Sequence, residues 1–558
     1  MEVRCSKSYQ SLDMSGNNME EQPKRHSSRI LKPWVLLLTC FVSVLLVFLV
    51  GTHRTPSWEL LRPVGAVAGI GRKNSSSEAP NDRLLGGLLS PEFDDKSCLS
   101  RYQSMLYRKA SPHAPSPHLV RRLREYEALH KKCAPNTDLY SKSIEQLKSG
   151  RSDGPMECNY VVWIPHNGLG NRVLTIVSSF LYALLNNKVL LVHIPSDFTD
   201  LLCEPFPGTS WALPSDFPVH NFLDFDTGTP QSYGNMLRDK VIDDEMLSGS
   251  SNATLPAYVY LHLPWYYDRW DKLFFCGDAQ RMLRRIPWLL LKSDHYFVPS
   301  LFLLQEYEEE LRQLFPERAT TFHHLVRYLV HPTNAVWDYV TKYYRAHLAA
   351  ADETLGIQIR VFHNFPVPFE SMLRQVINCS LSEGILPAVN FQEWAAPASK
   401  TDTKVKAVLV ASLFSGYAER IRDMYAKHPT TTGEVVRVHQ PSHEEQQHTE
   451  QRGHNIKALA EVELLSFSDA LITSAWSTFG YVAQGLGGLQ PWILLRHTQS
   501  DLPCRQAMSS EPCYLMPPPF PFPSSHCSKD HGDAGEAAAA TQYVRQCEDE
   551  LGGIKVFD

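Results

Sequence analysis

The stretch YVVWIPHNGLGNRVLTIVSSFLYALLNNKVLLVHI, residues 160–194, decides the fold class. A short apolar run is followed by a glycine-containing turn, a long apolar segment of helical length and a second short apolar run. Short continuous apolar runs rich in valine and leucine predict strands that are buried on both faces, as in a parallel sheet. The stretch therefore predicts one βαβ unit and, with it, an α/β fold.

The turn of this unit contains polar residues at the carboxyl end of a predicted parallel strand. Its glycines and polar residues are His166, Gly168, Gly170, Asn171 and Arg172. The third glycine of the dinucleotide-binding fingerprint is absent, so the motif alone favours a tight strand-to-helix turn as much as a ligand-binding loop. Because strand carboxyl ends face the ligand crevice in α/β folds, the three polar side chains favour a cleft loop that contacts a ligand.

The C-terminal half repeats the same rhythm. Five further strands are predicted at residues 356–362, 406–412, 433–440, 469–474 and 491–495. Helical stretches separate several of them, which indicates a second doubly wound parallel sheet. A chain of 558 residues is also longer than one hydrophobic core usually organises. We therefore predict two doubly wound sheets that face each other and hold ligands between their strand ends.

The segment SAWSTFGYVAQGLGG, residues 474–488, turns from a strand that ends at Ser474 into a helix that ends in glycines. Ser477 or Thr478 is a natural N-cap residue, and the free N–H groups and positive dipole of the helix start can bind an anion. A pyrophosphate fits such a site. The same residues also cap helices that bind no ligand, and Trp476 and Phe479 suit either ligand contact or packing.

Arg360 lies inside the apolar strand IQIRVF. Burying a guanidinium without an anionic partner is costly, so the sequence predicts such a partner. A structural salt bridge is one alternative. A pyrophosphate held between Arg360 and the helix start after Ser474 would satisfy both features at once.

Residues 33–51 form an uncharged apolar run that is long enough to cross a bilayer as a helix. The basic residues on its N-terminal side are Lys24, Arg25, Arg29 and Lys32. The positive-inside rule then keeps the preceding residues cytosolic and places the rest of the chain across the membrane. A cleaved signal peptide is the alternative, but the long polar head and the missing cleavage site favour a retained anchor.

The cysteines and sequons agree with a lumenal body. Ten of the twelve cysteines follow the predicted anchor, which indicates disulfides in an oxidising compartment, with Cys98–Cys133 as one candidate pair. Glycosylation sequons begin at Asn74, Asn252 and Asn378. A zinc cluster of the last four cysteines is an alternative to disulfides, but it lacks a C-x-x-C pair.

The net charge of -6, without a long basic block, argues against a nucleic-acid partner.

Several long motifs in sequence order resemble the plant xyloglucan α-1,2-fucosyltransferase family, from about Cys98 to Cys547. They are GLGNR, LCEPFPGTSW, FFCGD, FHHLVRYLVHPTN, GIQIRVF, AVLVASL, SAWSTFGYVAQGLGG and EPC. The resemblance implies a type II Golgi membrane protein with the GT-B fold, in which two Rossmann-like sheets face each other. It implies transfer of L-fucose from GDP-fucose, with inversion, to O-2 of a terminal galactose on a plant cell-wall glycan.

The resemblance also suggests roles for single residues. Arg360 corresponds to the arginine that contacts the donor pyrophosphate in fucosyltransferases, but Gln358 stands where the wider group has a histidine, so that histidine's role does not carry over. Asp294 looks like the family's aspartate at the acceptor cleft, which makes it our candidate base; a turn-capping aspartate is the alternative. Weaker candidates for the base are His166, His295, His324 and His454.

Position along the strands suggests the rest of the donor site. Ser412, His439 and Gln440 follow or end predicted donor-side strands, so we expect them near the guanine. Ser474, Ser477 and Thr478 are expected near the diphosphate.

Asp224 to Asp226 matches the short Asp-x-Asp motif that holds a divalent cation in other transferases. Because this motif lies in the first half, far in sequence from the donor half, we predict a metal-independent enzyme without a cofactor.

The acceptor and the assembly are less determined. Xyloglucan galactose is the expected acceptor, and arabinogalactan-protein glycans are the alternative that close relatives use. A membrane-anchored glycan-binding protein without turnover is a further alternative, although a lectin needs no diphosphate site. Golgi transferases often dimerise, so a homodimer is one expected assembly.

The predicted domain boundaries follow from these features. They are a cytosolic tail at 1–32, an anchor at 33–51, a stem at 52–90, an acceptor-side lobe at 91–335, a GDP-fucose-binding lobe at 336–500 and a Cys/Pro-rich wrap with a terminal helix at 501–558.

Overall fold

The computed structural model describes residues 82–152, 156–243, 246, 254–394, 403–496, 502–518, 527 and 542–558. The predicted tail and anchor and most of the predicted stem lie outside these residues, as do Asn74 and Asn252. Asn378 is described and lies exposed on a helix, and its glycosylation stays a prediction. Over the described ranges, every helix is too short or too polar to span a bilayer.

Helices and strands are numbered here in chain order. The strands are β1 Arg151–Ser152, β2 Tyr160–Ile164, β3 Val189–Val192, β4 Leu255–Pro256, β5 Tyr258–Leu263, β6 Trp288–Ser293, β7 Glu353–Ile359, β8 Val405–Ser412, β9 Val435–His439, β10 Ala470–Ser474, β11 Trp492–Leu494, β12 Cys504–Gln506, β13 Val544–Gln546 and β14 Ile554–Val556. The α-helices are α1 Leu99–Gln103, α2 Pro117–Lys132, α3 Asp138–Ser149, α4 Leu169–Leu185, α5 Tyr233–Arg238, α6 Gly277–Arg285, α7 Val298–Leu301, α8 Gln305–Leu314, α9 Thr321–Leu329, α10 Asn334–His347, α11 Phe369–Ser382, α12 Gly416–Lys427, α13 Arg452–Leu465 and α14 Thr478–Gly487. Short 3-10 helices lie at Ser104–Leu106, Phe222–Asp224, Asp271–Phe275 and Arg318–Thr320.

The predicted βαβ unit is β2, α4 and β3, and it belongs to a four-stranded parallel sheet in the order β3-β2-β6-β5. Every residue of β2, β3 and β6 is buried, as expected for strands that are covered on both faces. Helix α4 is buried over nearly its whole length. The sequence prediction of an α/β fold is therefore confirmed.

The C-terminal half forms a second sheet with the order β12-β11-β10-β7-β8-β9. Strands β7 to β11 are parallel, and β12 pairs antiparallel with β11 at one edge. The five predicted strands of this half correspond to β7, β8, β9, β10 and β11. The first strand differs most from its prediction, since β7 ends at Ile359 and Arg360 lies just beyond it.

Five disulfides use all ten cysteines that follow residue 90. They are Cys98–Cys203, Cys133–Cys158, Cys276–Cys527, Cys379–Cys504 and Cys513–Cys547. The candidate pair Cys98–Cys133 is wrong, because Cys133 at the end of α2 meets Cys158 just before β2. The four C-terminal cysteines are all oxidised, so they do not offer thiolates for a zinc cluster.

Residues 502–518, 527 and 542–558 are called the C-terminal clasp. The clasp contacts residues in both halves of the chain. β12 extends the second sheet, while Cys527 is bonded to Cys276 beside α6. A terminal helix is predicted from GEAAAATQYVRQCED, residues 535–549, of which 535–541 lie outside the described residues. The prediction is wrong for residues 542–549, because Val544–Gln546 forms β13 and pairs antiparallel with β14. The disulfide Cys513–Cys547 links the end of β13 to the segment before β13 in the clasp.

Glu511 connects the clasp to the first half of the chain. Its carboxylate accepts hydrogen bonds from the Tyr296 hydroxyl at 2.9 Å and from the Phe322 backbone N–H at 2.5 Å. Burial raises the pKa of Glu511 to about 8. The folded chain therefore keeps a proton on this carboxyl at a pH where the unfolded chain has lost it.

We expect Glu511→Gln to reduce the loss of stability that the protein shows as pH rises. The stabilisation from a raised pKa is complete below the unfolded value of 4.5 and is lost as pH rises through about 8. Chemical denaturation at about pH 6 and about pH 9 should show a smaller drop in unfolding free energy for the variant than for the unchanged chain. Equal drops in both proteins would contradict the assignment.

Candidate active site

A cavity of about 170 Å³ opens between the carboxyl ends of the two sheets. Its walls come from the turn after β2, the ends of β7 and β8, the loop between β9 and α13, α13 itself and the start of α14. Residues from both halves of the chain meet here, as the predicted crevice between facing sheets requires.

The start of α14 forms one wall. Ser477 is the N-cap residue, and its Oγ accepts a hydrogen bond from the Gly480 N–H at 3.4 Å. Trp476, Ser477, Thr478 and Phe479 all line the cavity. The predicted N-cap is confirmed, and the positive end of α14 faces the cavity.

The start of α4 meets it from the opposite sheet. Gly168 is the N-cap residue of α4, without a side-chain cap. A Cβ on Gly170 would lie 2.7 Å from both Thr478 Oγ1 and the Phe479 nitrogen, so only glycine permits this approach. The Thr478 hydroxyl also donates a hydrogen bond to Asn171 Oδ1 at 3.1 Å. Two helix N-termini therefore converge on one cavity, which is an arrangement suited to an anion.

We expect Gly170→Ala to lower kcat/KM for the donor by about tenfold or more, because displacement of a helix start misaligns the groups that hold the substrate. The matched control is Gly453→Ala on α13, where an added Cβ meets no atom within 4 Å. Steady-state kinetics of both variants checks the prediction. Equal kinetics of the two variants would contradict the close helix contact.

Arg360 lies at the cavity directly after β7. Its backbone N–H donates to Ser474 Oγ at 2.9 Å, and its Nη2 donates to Gln447 Oε1 at 2.7 Å. Burial alone lowers the pKa of Arg360, without an opposing carboxylate among the described residues. Within the described part of the chain, Arg360 therefore forms no structural salt bridge. Its guanidinium can bind an anionic ligand.

The other predicted donor residues lie in three places. Ser412 lines the cavity, whereas Ser474 lies buried behind it with its hydroxyl bonded to the β7 end. His439 and Gln440 line a different depression beside α10 and α12. Neither residue lines the cavity with Arg360. Gln440 still contacts its edge, because Gln440 Nε2 donates a hydrogen bond to the carbonyl oxygen of Ser412 at 2.9 Å.

Several residues that line the cavity were not predicted from the sequence. They are Ser442, Glu444, Gln447, Thr449, Asn455, Lys457 and Glu461. Most belong to the polar loop after β9, which has no recognisable motif. Glu461 is buried and accepts hydrogen bonds from the Ser442 N–H and hydroxyl at 3.1 and 2.7 Å, and burial raises the pKa of Glu461 to about 8.

Asp294 directly follows β6 and is 2% exposed. Its Oδ1 accepts a hydrogen bond from the Trp265 N–H at 3.0 Å, and its Oδ2 accepts one from Asn167 Nδ2 at 2.8 Å. Its carbonyl oxygen accepts a hydrogen bond from Asn171 Nδ2 at 2.8 Å. Burial raises the pKa of Asp294 to about 6. Asp294 does not line the donor cavity. It contacts Asn171, which does line the cavity.

Two aromatic side chains next to Asp294 are unusually exposed. Trp265 is 58% and Tyr266 is 40% exposed, and their rings lie 5.6 Å apart. His166 lies beside them, with 6.3 Å between the ring centroids of His166 and Tyr266. Exposed aromatic faces next to a buried carboxylate are a candidate contact surface for a ligand.

The remaining predicted residues occupy supporting positions. Arg172 forms a buried ion pair with Asp197 and donates to the Asn167 carbonyl at 2.9 Å, so it fixes the loop and does not line the cavity. Burial lowers the pKa of His166, His295 and His324 to about 4. His454 lines the cavity and is bonded to Glu444.

The Asp-x-Asp motif lies away from the donor cavity. Asp224 ends a 3-10 helix, and Asp226 Oδ1 accepts a hydrogen bond from the Gly228 N–H at 2.8 Å. Neither carboxylate is among the residues that line the cavity. The motif is therefore not placed to hold a cation under a diphosphate bound there.

Comparison with known proteins gives these features a family context. The xyloglucan fucosyltransferase family model matches residues 63–522. The chain is 50% identical over 495 residues to a galactoside 2-alpha-L-fucosyltransferase of Pisum sativum, covering 88% of this chain and 85% of that protein. It is 48% identical over 546 residues to a galactoside 2-alpha-L-fucosyltransferase of Arabidopsis thaliana, covering 96% of this chain and 95% of that protein. A solved structure of an Arabidopsis thaliana FUT1 mutant in complex with GDP has a TM-score of 0.75 and 48% identity, covering 85% of this chain and 100% of that chain.

Proposed function

The chain belongs to the xyloglucan fucosyltransferase family, and from this we propose that it is a galactoside α-1,2-fucosyltransferase. It transfers L-fucose from GDP-fucose to O-2 of a terminal galactose on a plant cell-wall glycan, with inversion at the fucose carbon. The observation that supports this most strongly is the convergence of Arg360 with two helix N-termini in one cavity.

The two parallel sheets correspond to the lobes of a GT-B transferase, with the second sheet on the donor side.

The enzyme is a single-pass type II protein of the Golgi membrane, anchored by residues 33–51 with the body in the lumen. The support is the basic flank of the apolar run and the oxidation of all ten cysteines that follow it. A homodimer is the proposed assembly.

The donor diphosphate lies between Arg360 and the start of α14. As the bond from fucose to the diphosphate breaks, negative charge develops on the departing GDP and positive charge develops on the sugar. The Arg360 guanidinium can donate two parallel hydrogen bonds to phosphate oxygens. The dipole of α14 adds positive potential at the same place. Together they stabilise the leaving group.

The same arrangement supports the proposal of a metal-independent transfer. A transferase that uses a divalent cation places carboxylates under the diphosphate. Here a guanidinium and two helix starts occupy that region, and Asp224 and Asp226 lie elsewhere. We assign the neutralising role to Arg360 and the helices, without a metal or other cofactor.

Asp294 is the proposed base for the acceptor hydroxyl. Its carboxylate is held by the Trp265 N–H and the Asn167 amide, so it is oriented before the acceptor binds. With a pKa of about 6 it is ionised at neutral pH and can accept the proton that leaves O-2 of galactose. The oxygen then attacks the fucose carbon from the face opposite to GDP, which inverts that carbon.

The exposed rings of Trp265 and Tyr266 supply the acceptor surface beside Asp294. Aromatic faces pack against the apolar faces of ligands. A galactose side chain of xyloglucan is the proposed acceptor, and an arabinogalactan-protein glycan is the second candidate.

The full chain incubated with GDP-fucose, EDTA and either galactosylated xyloglucan or arabinogalactan tests this proposal. We expect fucosylated product from xyloglucan at an undiminished rate in EDTA. Product only from arabinogalactan would replace the acceptor, and product only when divalent ions are present would overturn the metal-free donor site. Glycan binding without turnover and without GDP binding would favour a lectin instead.

A further inference from the structure

Trp476 has a backbone conformation that bulky residues rarely adopt. Its φ is +63°, in the left-handed region that favours glycine. Strain of this kind persists only where surrounding contacts hold it. Trp476 directly precedes Ser477, the N-cap residue of α14, and it lines the donor cavity. The direction in which α14 presents its first N–H groups therefore depends on the contacts that hold Trp476.

Those contacts come from Asp549, more than seventy residues later in the chain. The Trp476 backbone N–H donates to Asp549 Oδ2 at 3.0 Å, and the Trp476 indole Nε1–H donates to the Asp549 carbonyl at 2.8 Å. The Tyr481 hydroxyl, one turn into α14, donates to the same Oδ2 at 2.6 Å. One residue thus fixes both the turn before the helix and the first turn of the helix.

Asp549 is itself held firmly. It is 1% exposed and lies two residues after Cys547, whose disulfide to Cys513 closes the clasp. It lies in the loop that connects β13 and β14, and the Tyr514 and Ile554 backbones bond to each other across this part of the clasp. The C-terminal clasp therefore contacts the turn before α14 through Asp549.

The indole of Trp476 has a further contact with a residue just beyond β11. The Arg496 guanidinium lies 3.9 Å from the centroid of the Trp476 ring. This contact acts on the ring, whereas Asp549 also acts on the backbone, where the strained torsion lies. Loss of Asp549 would leave the Trp476 N–H and the Tyr481 hydroxyl without this acceptor in a buried place.

We propose that Asp549 is a positioning residue for the donor diphosphate, because it holds Trp476 in the left-handed conformation and so aims the start of α14 into the cavity. The inference rests on the proposed function, since it concerns the GDP-fucose site. Asp549 acts through Trp476 and does not itself touch the donor.

A double-mutant cycle in the full chain tests this inference by GDP titration calorimetry. The cycle compares the unchanged chain, Asp549→Ala, Trp476→Gly and the double variant, since glycine adopts a positive φ without strain. We expect Asp549→Ala to weaken GDP binding by about tenfold, because the Trp476 N–H and the Tyr481 hydroxyl lose a buried hydrogen-bond acceptor. In the Trp476→Gly background the loss is expected to shrink to about threefold or less, because the backbone no longer needs to be held.

Steady-state kinetics provide a second measurement of the effect of Asp549→Ala. The KM for GDP-fucose should rise by a similar factor in Asp549→Ala, while the acceptor KM stays unchanged. Glu550→Gln, on the next residue of the same hairpin, is the matched control and should bind GDP like the unchanged chain. If Asp549→Ala does not fold, Asp549→Asn takes its place in the cycle, with an expected loss of about threefold from the weaker neutral acceptor.

Two results would overturn the inference. One is equal loss of GDP affinity in both backgrounds, which indicates a general structural role; the other is unchanged affinity in a folded Asp549 variant. An unchanged chain that binds no GDP would overturn the proposed function together with the inference. GDP binding by the unchanged chain, with no effect of Asp549, would overturn the inference alone.

Discussion

Arg360→Ala is expected to lower kcat/KM for GDP-fucose by about 10³-fold, since it removes the main preorganised donor to the charge that develops on the leaving diphosphate. GDP affinity should fall as well, because the guanidinium also contacts the diphosphate before the bond breaks. Arg360→Lys should recover only part of the loss, since an ammonium keeps the charge but lacks the planar fork. Steady-state kinetics and GDP titration measure both effects.

The matched control is Arg437→Ala. Arg437 lies exposed on β9 of the same sheet, lines a different depression and is not among the residues around the donor cavity. We expect kinetics within about twofold of the unchanged chain, as for most surface substitutions away from a site. A comparable loss in both arginine variants would contradict the specific role of Arg360, as would full activity of Arg360→Ala.

Asp294→Asn is expected to lower kcat by about 10² to 10³-fold with little change in GDP affinity, because general base catalysis contributes about this much. The amide keeps the size of the side chain and can still accept a hydrogen bond from Trp265. A loss of GDP affinity that equals the loss of kcat would instead show that Asp294 only holds the loop at Asn167 and Asn171.

The pH dependence gives an independent sign for Asp294. Because burial raises its pKa to about 6, the carboxylate is ionised above that value and protonated below it. We expect kcat/KM to fall about tenfold per pH unit below about 6 in the unchanged chain, and this limb to disappear in Asp294→Asn. Asp226→Asn is the control; it should keep the acid limb and the rate, whereas inactivation would indicate the metal-binding alternative.

The sequence predicted those parts of the site that depend on neighbours along the chain. Ser477 as N-cap follows from a strand end, a hydroxyl residue and an apolar helix in succession. Arg360 was identified because a charged residue in an apolar strand needs a partner. Strands β2, β3 and β7 to β11 were predicted because apolar runs decide burial locally, whereas β5 and β12 were not predicted.

Features that depend on distant pairing were predicted poorly. The pair Cys98–Cys133 was wrong, because the fold brings Cys203 and Cys158 to these cysteines instead. His439 was expected near the guanine from its place at a strand end, but strand order does not say which surface that side chain faces. Gln447 and Asp549 reach the site only through tertiary contacts, which leave no local pattern in the sequence.

Transfer to a defined acceptor would be the decisive measurement. The full chain is incubated with GDP-fucose, EDTA and a xyloglucan oligosaccharide that ends in galactose, and the linkage of the product is determined by NMR. We predict one α-fucosyl residue on O-2 of the galactose, formed by the unchanged chain and by Arg437→Ala but hardly by Arg360→Ala. No fucosylated galactose, or a fucosyl residue at another position, would contradict the proposed function.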